Sequence, residues 1–134
     1  MSNSLRSPSE RAELVLRLWA TSPSVGDARH ALRDFCDSGG RGDLADDVVL
    51  LTSELMTNAC RVGTGLITLV AMRSRDGIVV SVNDDNTDAV PASATELPTA
   101  DADSGRGLYL IDQIAGSWGT TRYPHGKSVW FRMP

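Results

Sequence analysis

Two strand-forming runs separated by a tight turn, LITLVAMRS from Leu66 to Ser74 and IVVSV from Ile78 to Val82, limit the fold of this chain more than any other feature. Both are rich in β-branched residues and Asp76-Gly77 between them is turn chemistry, so the pair predicts a β-hairpin. A two-stranded hairpin is not stable in water by itself. It needs more strands and a layer of helices over its apolar face. The chain can supply that once: 134 residues, 41% hydrophobic and 22% charged, make one core and are too few for two domains.

The flanking segments supply the missing elements. AELVLRLWA alternates Leu14, Leu16 and Leu18 with Glu13 and Arg17, the pattern of an edge strand. After TSPS, Val25, Ala28, Leu32 and Phe35 recur at helical spacing, with Ser24 as the expected cap and Gly39-Gly40 as the stop. A second helix is predicted from Leu44 to Val62, capped by Asp43 and stopped by Gly63. Beyond the hairpin, Asp85 to Ser104 turns to Asp, Thr, Ala, Ser and Pro and reads as a long loop of the functional kind. GRGLYLIDQIAG reads as a short helix opened by glycines, and WGTTRY, the turn PHG and SVWFRM as a closing hairpin. Residues 1–11 form an expected flexible leader and 12–134 a single domain. The order of elements predicts an α/β two-layer sandwich, a mixed, mostly antiparallel sheet with helices on one face.

Charge and composition narrow the function. A net charge of -4 and a pI near 5.0 argue against duplex binding, which needs a basic stripe to displace counterions from phosphate, so no direct nucleic acid partner is expected. Cys36 and Cys60 lack metal-ligand spacing and are too few for a disulfide scaffold, and they read as reduced thiols. No run is apolar enough to span a bilayer and MSNSLRSPSE has no signal-peptide core. A cytoplasmic protein without membrane insertion is expected. His30 and His125, on a helix and in a turn, are read as solvated surface.

The chemistry-bearing residues interrupt apolar patterns. At about 100° per residue, Leu44, Val48, Leu51, Leu55, Ala59 and Val62 define one stripe of the second helix. Asn58 falls on the margin of that stripe, and Asp47, Glu54 and Arg61 lie just beyond it. Asp47 and Arg61 suit a solvated border. Glu54 and Asn58, one turn apart, point into the same space and suit Mg²⁺ and a positioned hydroxyl or water. In the strand IVVSVND, Asp84 continues the row of Ile78, Val80 and Val82, either as the start of a turn or as a buried acceptor for a donor such as the exocyclic amine of a base. Gly105 and Gly107 in SGRGL allow backbone N–H groups at a helix start to approach a phosphate.

Taken in order, Glu-x-x-x-Asn on a helix, Val-x-Asp at a strand end, a Pro-containing loop and Ser-Gly-Arg-Gly-Leu opening a helix resemble the ATP-binding domain shared by gyrase, heat-shock chaperones, histidine kinases and MutL, the GHKL class. LLTSELMTNACRVG, SGRGLYLID and GKSVWF look most like its small stand-alone bacterial members related to anti-sigma factor serine kinases, and the resemblance covers residues 12 to 133. It implies a Bergerat-type fold and an ATP-binding, transcription-regulating protein serine/threonine kinase. In that family Asn58 would hold Mg²⁺ and Glu54 would be the general base. Asp84 would accept from the adenine amine. Gly105, Arg106, Gly107 and Leu108 would bind the triphosphate beneath a lid at about 86–104. Implied partners are a sigma factor and/or an anti-anti-sigma protein of the STAS type, with a homodimer among the assemblies allowed. The alternative is a non-catalytic interaction module that binds ATP weakly or not at all. Sensor histidine kinases usually carry Asn at the place of Glu54, which favours the serine-kinase branch. Two positions depart from the pattern: Asn86 stands where Gly is common and Val62 where relatives often have His. Alternation puts Ser128 on the face away from Val129 and Phe131, outside the site.

Overall fold

The structure, a computed structural model, describes residues 11–62, 65–84, 103–124 and 126–134. In chain order it comprises β1 (Arg11–Trp19), α1 (Ser22–Ser38), a 3₁₀ turn at Gly42–Leu44, α2 (Ala45–Val62), β2 (Leu66–Ser74), β3 (Gly77–Asp84), α3 (Asp103–Ile114), β4 (Ser117–Tyr123) and β5 (Gly126–Met133). The strands lie in the order β1-β2-β3-β5-β4, with the helices packed on one face. This is the expected α/β sandwich, with one correction. Every neighbouring pair is antiparallel, so among the described strands the sheet is not mixed. The cause is the second hairpin, whose inner strand β5 runs against β3 once β4 has taken the outer edge.

Alternation decides which side chains meet the helices. Leu14, Leu16 and Leu18 of β1 stand opposite Ala71, Leu69 and Ile67 of β2, and Val80 and Val82 of β3 stand opposite Phe131 and Val129 of β5. With Leu32 and Cys36 of α1, Val48, Leu51, Leu55 and Met56 of α2, and Ile111 of α3, these residues form a single core. Trp118 of β4 donates its indole N–H to Asp112 at 3.1 Å, tying α3 to the outer strand.

The helix ends differ from expectation in instructive ways. Thr21 holds the N-cap position of α1 in extended geometry without a side-chain cap hydrogen bond, Pro stands in the first turn, and Ser24 lies buried inside the helix with its hydroxyl 3.1 Å from that of Thr21. Pro23 explains the shift, because its fixed φ and missing N–H suit the opening turn. Asp43 does not cap α2. It sits in the 3₁₀ turn, where a hydrogen bond from Arg41 at 3.1 Å holds its carboxyl below the usual range. Gly63 and residues 1–10 lie outside the described residues, and Arg11 already belongs to β1.

A buried cation closes α1. Arg73 continues the inward row of Ile67, Leu69 and Ala71 on β2 yet is 5% exposed. Its guanidinium donates to the carbonyl of Phe35 and lies 4.6 Å from the centre of the Phe35 ring. A positive charge at the carbonyl end of a helix meets both the orphaned acceptors and the negative end of the dipole. Gly39 makes room for it, since a Cβ there would strike the guanidinium.

Of the two thiols, Cys36 is fully buried and Cys60 half-buried, and burial pushes the Cys36 thiol up to about 11. No helix among the described residues is long and apolar enough to cross a membrane.

The first hairpin closes on the pair Ser74 and Gly77, so its loop is Arg75-Asp76, one residue earlier than the turn read from sequence. Gly77 has φ 132°, and a Cβ on it would strike the carbonyl oxygen of Met133 and come within 2.8 Å of the Pro134 Cα. Gly26 sits inside α1 with nothing within 4 Å of where a Cβ would be. Opposite outcomes follow for one chemical change. Gly77→Ala should lower unfolding stability by about 2–4 kcal/mol, from backbone strain and overpacking together. Gly26→Ala should raise it by roughly 0.5–1 kcal/mol. Urea unfolding with unchanged slope checks both.

Candidate functional site

α2 is the element on which the candidate site is built. It packs against α1 on one side, α3 on the other and β3 beneath. Val48, Leu51, Leu55 and Ala59 are buried as the apolar stripe requires, but Thr52 and Met56 are also fully buried. The buried face is therefore wider than the stripe, because a central helix meets neighbours on both flanks. Glu54 and Asn58 are half-buried, one turn apart, while Asp47 is exposed. An acid and an amide thus occupy the border of a helix whose buried face, Thr52 apart, is apolar.

The second contribution comes from the end of β3. Asp84 is its last residue, in line with the buried Ile78, Val80 and Val82. Its side chain is 4% exposed, and its carboxylate accepts a hydrogen bond at 2.8 Å from the ammonium of Lys127, whose side chain is also 4% exposed. The two are direct cross-strand partners. Burying either charge alone would be costly, so each compensates the lost hydration of the other. Lys127 is the buried partner of Asp84 that the sequence reading missed. The signal was present in the alternation of β5, which turns Phe131, Val129 and then Lys127 toward the helices. Ser128 pairs with Asn83, on the face of β5 opposite that of Lys127, Val129 and Phe131.

The third contribution is α3, which begins at Asp103, so Gly105, Arg106, Gly107 and Leu108 lie within its opening turns rather than ahead of it. Ser and Asp are good helix-opening residues, which moves the start upstream of the glycines. Of the expected lid at 86–104, Asp103 and Ser104 belong to α3 and the rest, with Asn86, lies outside the described residues. His125 does too, and His30 is exposed on α1. Packing of α2 on both β3 and α3 brings the three elements together. An open groove of about 470 Å³, lined by Arg17, Trp19, Thr68, Asn83 and Asp84 among others, opens mainly on the helix-free face of the sheet.

A two-layer sandwich with an acid and an amide on its central helix, a buried acid at the end of a neighbouring strand and a third helix against them has the layout of an ATPase domain. Residues 18–133 match the histidine kinase-like ATPase domain family, and the chain belongs to it. That family is ATP-binding. No curated protein matches the chain.

The buried pair makes a prediction independent of nucleotide. Lys127→Met takes the ammonium away from the buried Asp84 carboxylate and should cost about 3–5 kcal/mol, whereas Asp84→Leu combined with Lys127→Met should be near wild type or more stable. A double-mutant cycle by urea unfolding measures this coupling.

Proposed function

We propose that this chain is an ATP- and Mg²⁺-binding regulatory protein of the anti-sigma factor type, a serine/threonine protein kinase that phosphorylates an anti-anti-sigma partner of the STAS type and/or sequesters a sigma factor. The observation that carries the reading is Glu54 one turn before Asn58, half-buried on the helix that packs against the Asp84 strand and α3. Glu54 takes the proton from a serine hydroxyl as the hydroxyl oxygen bonds to the terminal phosphorus of ATP and the bond to the ADP oxygen breaks. Asp84 accepts from the exocyclic amine of adenine. A carboxylate has acceptor capacity for this alongside Lys127. The free backbone N–H groups of α3 are those of its first turn, from Asp103, and Gly105 and Gly107 beside them let the phosphates approach the helix start.

The donor set suits Mg²⁺ that arrives on a nucleotide. Asn58 offers one side-chain oxygen on a half-buried helix border, and Mg²⁺ takes most of its ligands from water and phosphate. When bound, the ion neutralises charge on the phosphates.

One observation favours a second reading, that of an interaction module with weak or no ATP binding. The acceptor meant for the base is already engaged by a buried ammonium at 2.8 Å.

Calorimetry and thermal unfolding separate the two. The kinase reading expects ATP with Mg²⁺ to bind and raise the melting temperature, and GTP to do so less; silence in both measurements leaves the interaction module. Glu54→Gln should keep ATP affinity near wild type while lowering phosphate incorporation into a STAS-type substrate by roughly 10²- to 10⁴-fold, followed by mass spectrometry. Asn58→Ala should weaken ATP binding only when Mg²⁺ is present. Equal loss of affinity in both variants would make Glu54 a structural residue.

A further inference from the structure

The helices cover one face of the sheet, and the other face is far from uniformly polar. Strand alternation places Val15, Val70, Ser81 and Trp130 in one row across it and Glu13, Met72, Val79 and Arg132 in the next. Most large apolar side chains left exposed among the described residues stand here: Trp19 at 64%, Val15 at 52%, and Met72 and Tyr123 each at 50%. The solvated face of an antiparallel sheet ordinarily carries the polar half of the alternation. A contiguous apolar patch in its place marks an interaction surface.

The patch has relief as well as composition. A groove of about 490 Å³, lined by Glu13, Met72, Val79 and Arg132 among others, lies toward one end of it. The groove of about 470 Å³ at Arg17, Trp19, Leu66 and Thr68 lies toward the other. The row of Val15 and Trp130 runs between them. The Trp130 indole lies so close over β4 that a Cβ on Gly119 would come within 2.9 Å of it. A braced indole with a hollow on either side gives apolar side chains of a partner two seats. Trp, Tyr, Met and Arg are the residue types over-represented at protein interfaces and their energetic centres.

Charge selects the partner. The whole chain has 17 acidic against 13 basic residues, yet the charged strand residues of this face are Arg11, Arg17 and Arg132 against Glu13 alone. None of the three arginines forms an ion pair among the described residues; Arg132 donates to the backbone carbonyl of Asp76 at 3.2 Å. A second copy seated face to face would set arginines against arginines. Anionic bilayers are held by denser clusters, about four to eight Lys or Arg together. A protein segment with separated carboxylates matches what is present, Arg17 at one end of the patch and Arg11 with Arg132 at the other. From Leu66 to Met72 along β2 the patch runs about 20 Å at roughly 3.3 Å per residue, the length of a helix of about 13 residues. A helix is also what covers the opposite face of this sheet, by laying an apolar stripe on it.

We propose that the helix-free face is a docking surface for an acidic amphipathic helix of a partner protein. Its apolar stripe rests on Val15, Met72 and Trp130, and its carboxylates meet Arg17 at one end and Arg11 and Arg132 at the other. Glu54 and Asn58 lie on α2, across the sheet, so the inference does not rest on nucleotide binding.

A display library of helix-biased peptides of about 13 residues, selected on the immobilised full chain, supplies the probe. The enriched peptides should carry large apolar residues at i, i+3 or i+4, and i+7, with Asp or Glu near both ends. For the best of them, made synthetically and measured by fluorescence polarisation, Met72→Glu and Arg17→Glu should each weaken binding by about tenfold or more. Both positions are on the solvent side of the sheet, and circular dichroism checks that each variant is folded. Replacing the peptide acid that meets Arg17 by Lys should recover binding to Arg17→Glu and to no other variant. Selection that yields no acidic amphipathic sequence overturns the proposal. So does a peptide indifferent to both substitutions, which is seated elsewhere. Co-sedimentation with phosphatidylserine vesicles that Arg17→Glu abolishes, in the absence of a peptide, would make the occupant a membrane, and self-association abolished by Met72→Glu would make it a second copy; either result overturns the proposal.

Discussion

The burial of α2 on three sides is the constraint on which the other features depend. Val48, Leu51, Thr52, Leu55, Met56 and Ala59 are all buried, which leaves the helix little polar border. Glu54 and Asn58 occupy part of that border, so their place beside β3 and α3 is held by the apolar residues interleaved with them. An enzyme or binding domain of this size has few rigid positions to spare. Here the core and the candidate site share one helix, and large-to-small changes at Leu51 or Leu55 would move both.

Much of this was legible in the sequence. Alternation identified β1, apolar or β-branched runs around turn residues identified the other strands, and helical spacing identified α1 and α2, because burial imposes patterns that survive any detail of packing. The sandwich and the placement of Asp84 on the inward row followed from the same rule. The helix starts were less legible, since Thr21, Pro23 and Ser24 are all opening residues and only the assembled turn decides among them. Arg73 and Lys127 stand on the inward rows of their strands, so their side was legible while their burial was not. That burial depends on a partner far away in the chain, the carbonyl of Phe35 in one case and the carboxylate of Asp84 in the other.

Both hidden cations stand where a strand meets something polar at its inner face. Arg73 compensates a helix end, where the acceptor is backbone and the geometry follows from the fold. Lys127 compensates a side chain, where an apolar pair would fill the space at least as well. The first is explained by architecture. The second is not called for by stability alone, which makes the pair at the end of β3 a place to test for function.

The pairing of β3 with β5 also has a consequence for assembly. Each hairpin closes over a tight turn, whereas Asp84 and Lys127 are separated by 43 residues and meet only when the two hairpins join. Closing so long a segment carries an entropy cost that local contacts do not share, so the junction forms late relative to either hairpin. The carboxylate acquires its counterion at that same step. A chain halted before the hairpins join holds Asp84 as an ordinary hydrated acid, and the charged pocket comes into being only with the completed domain.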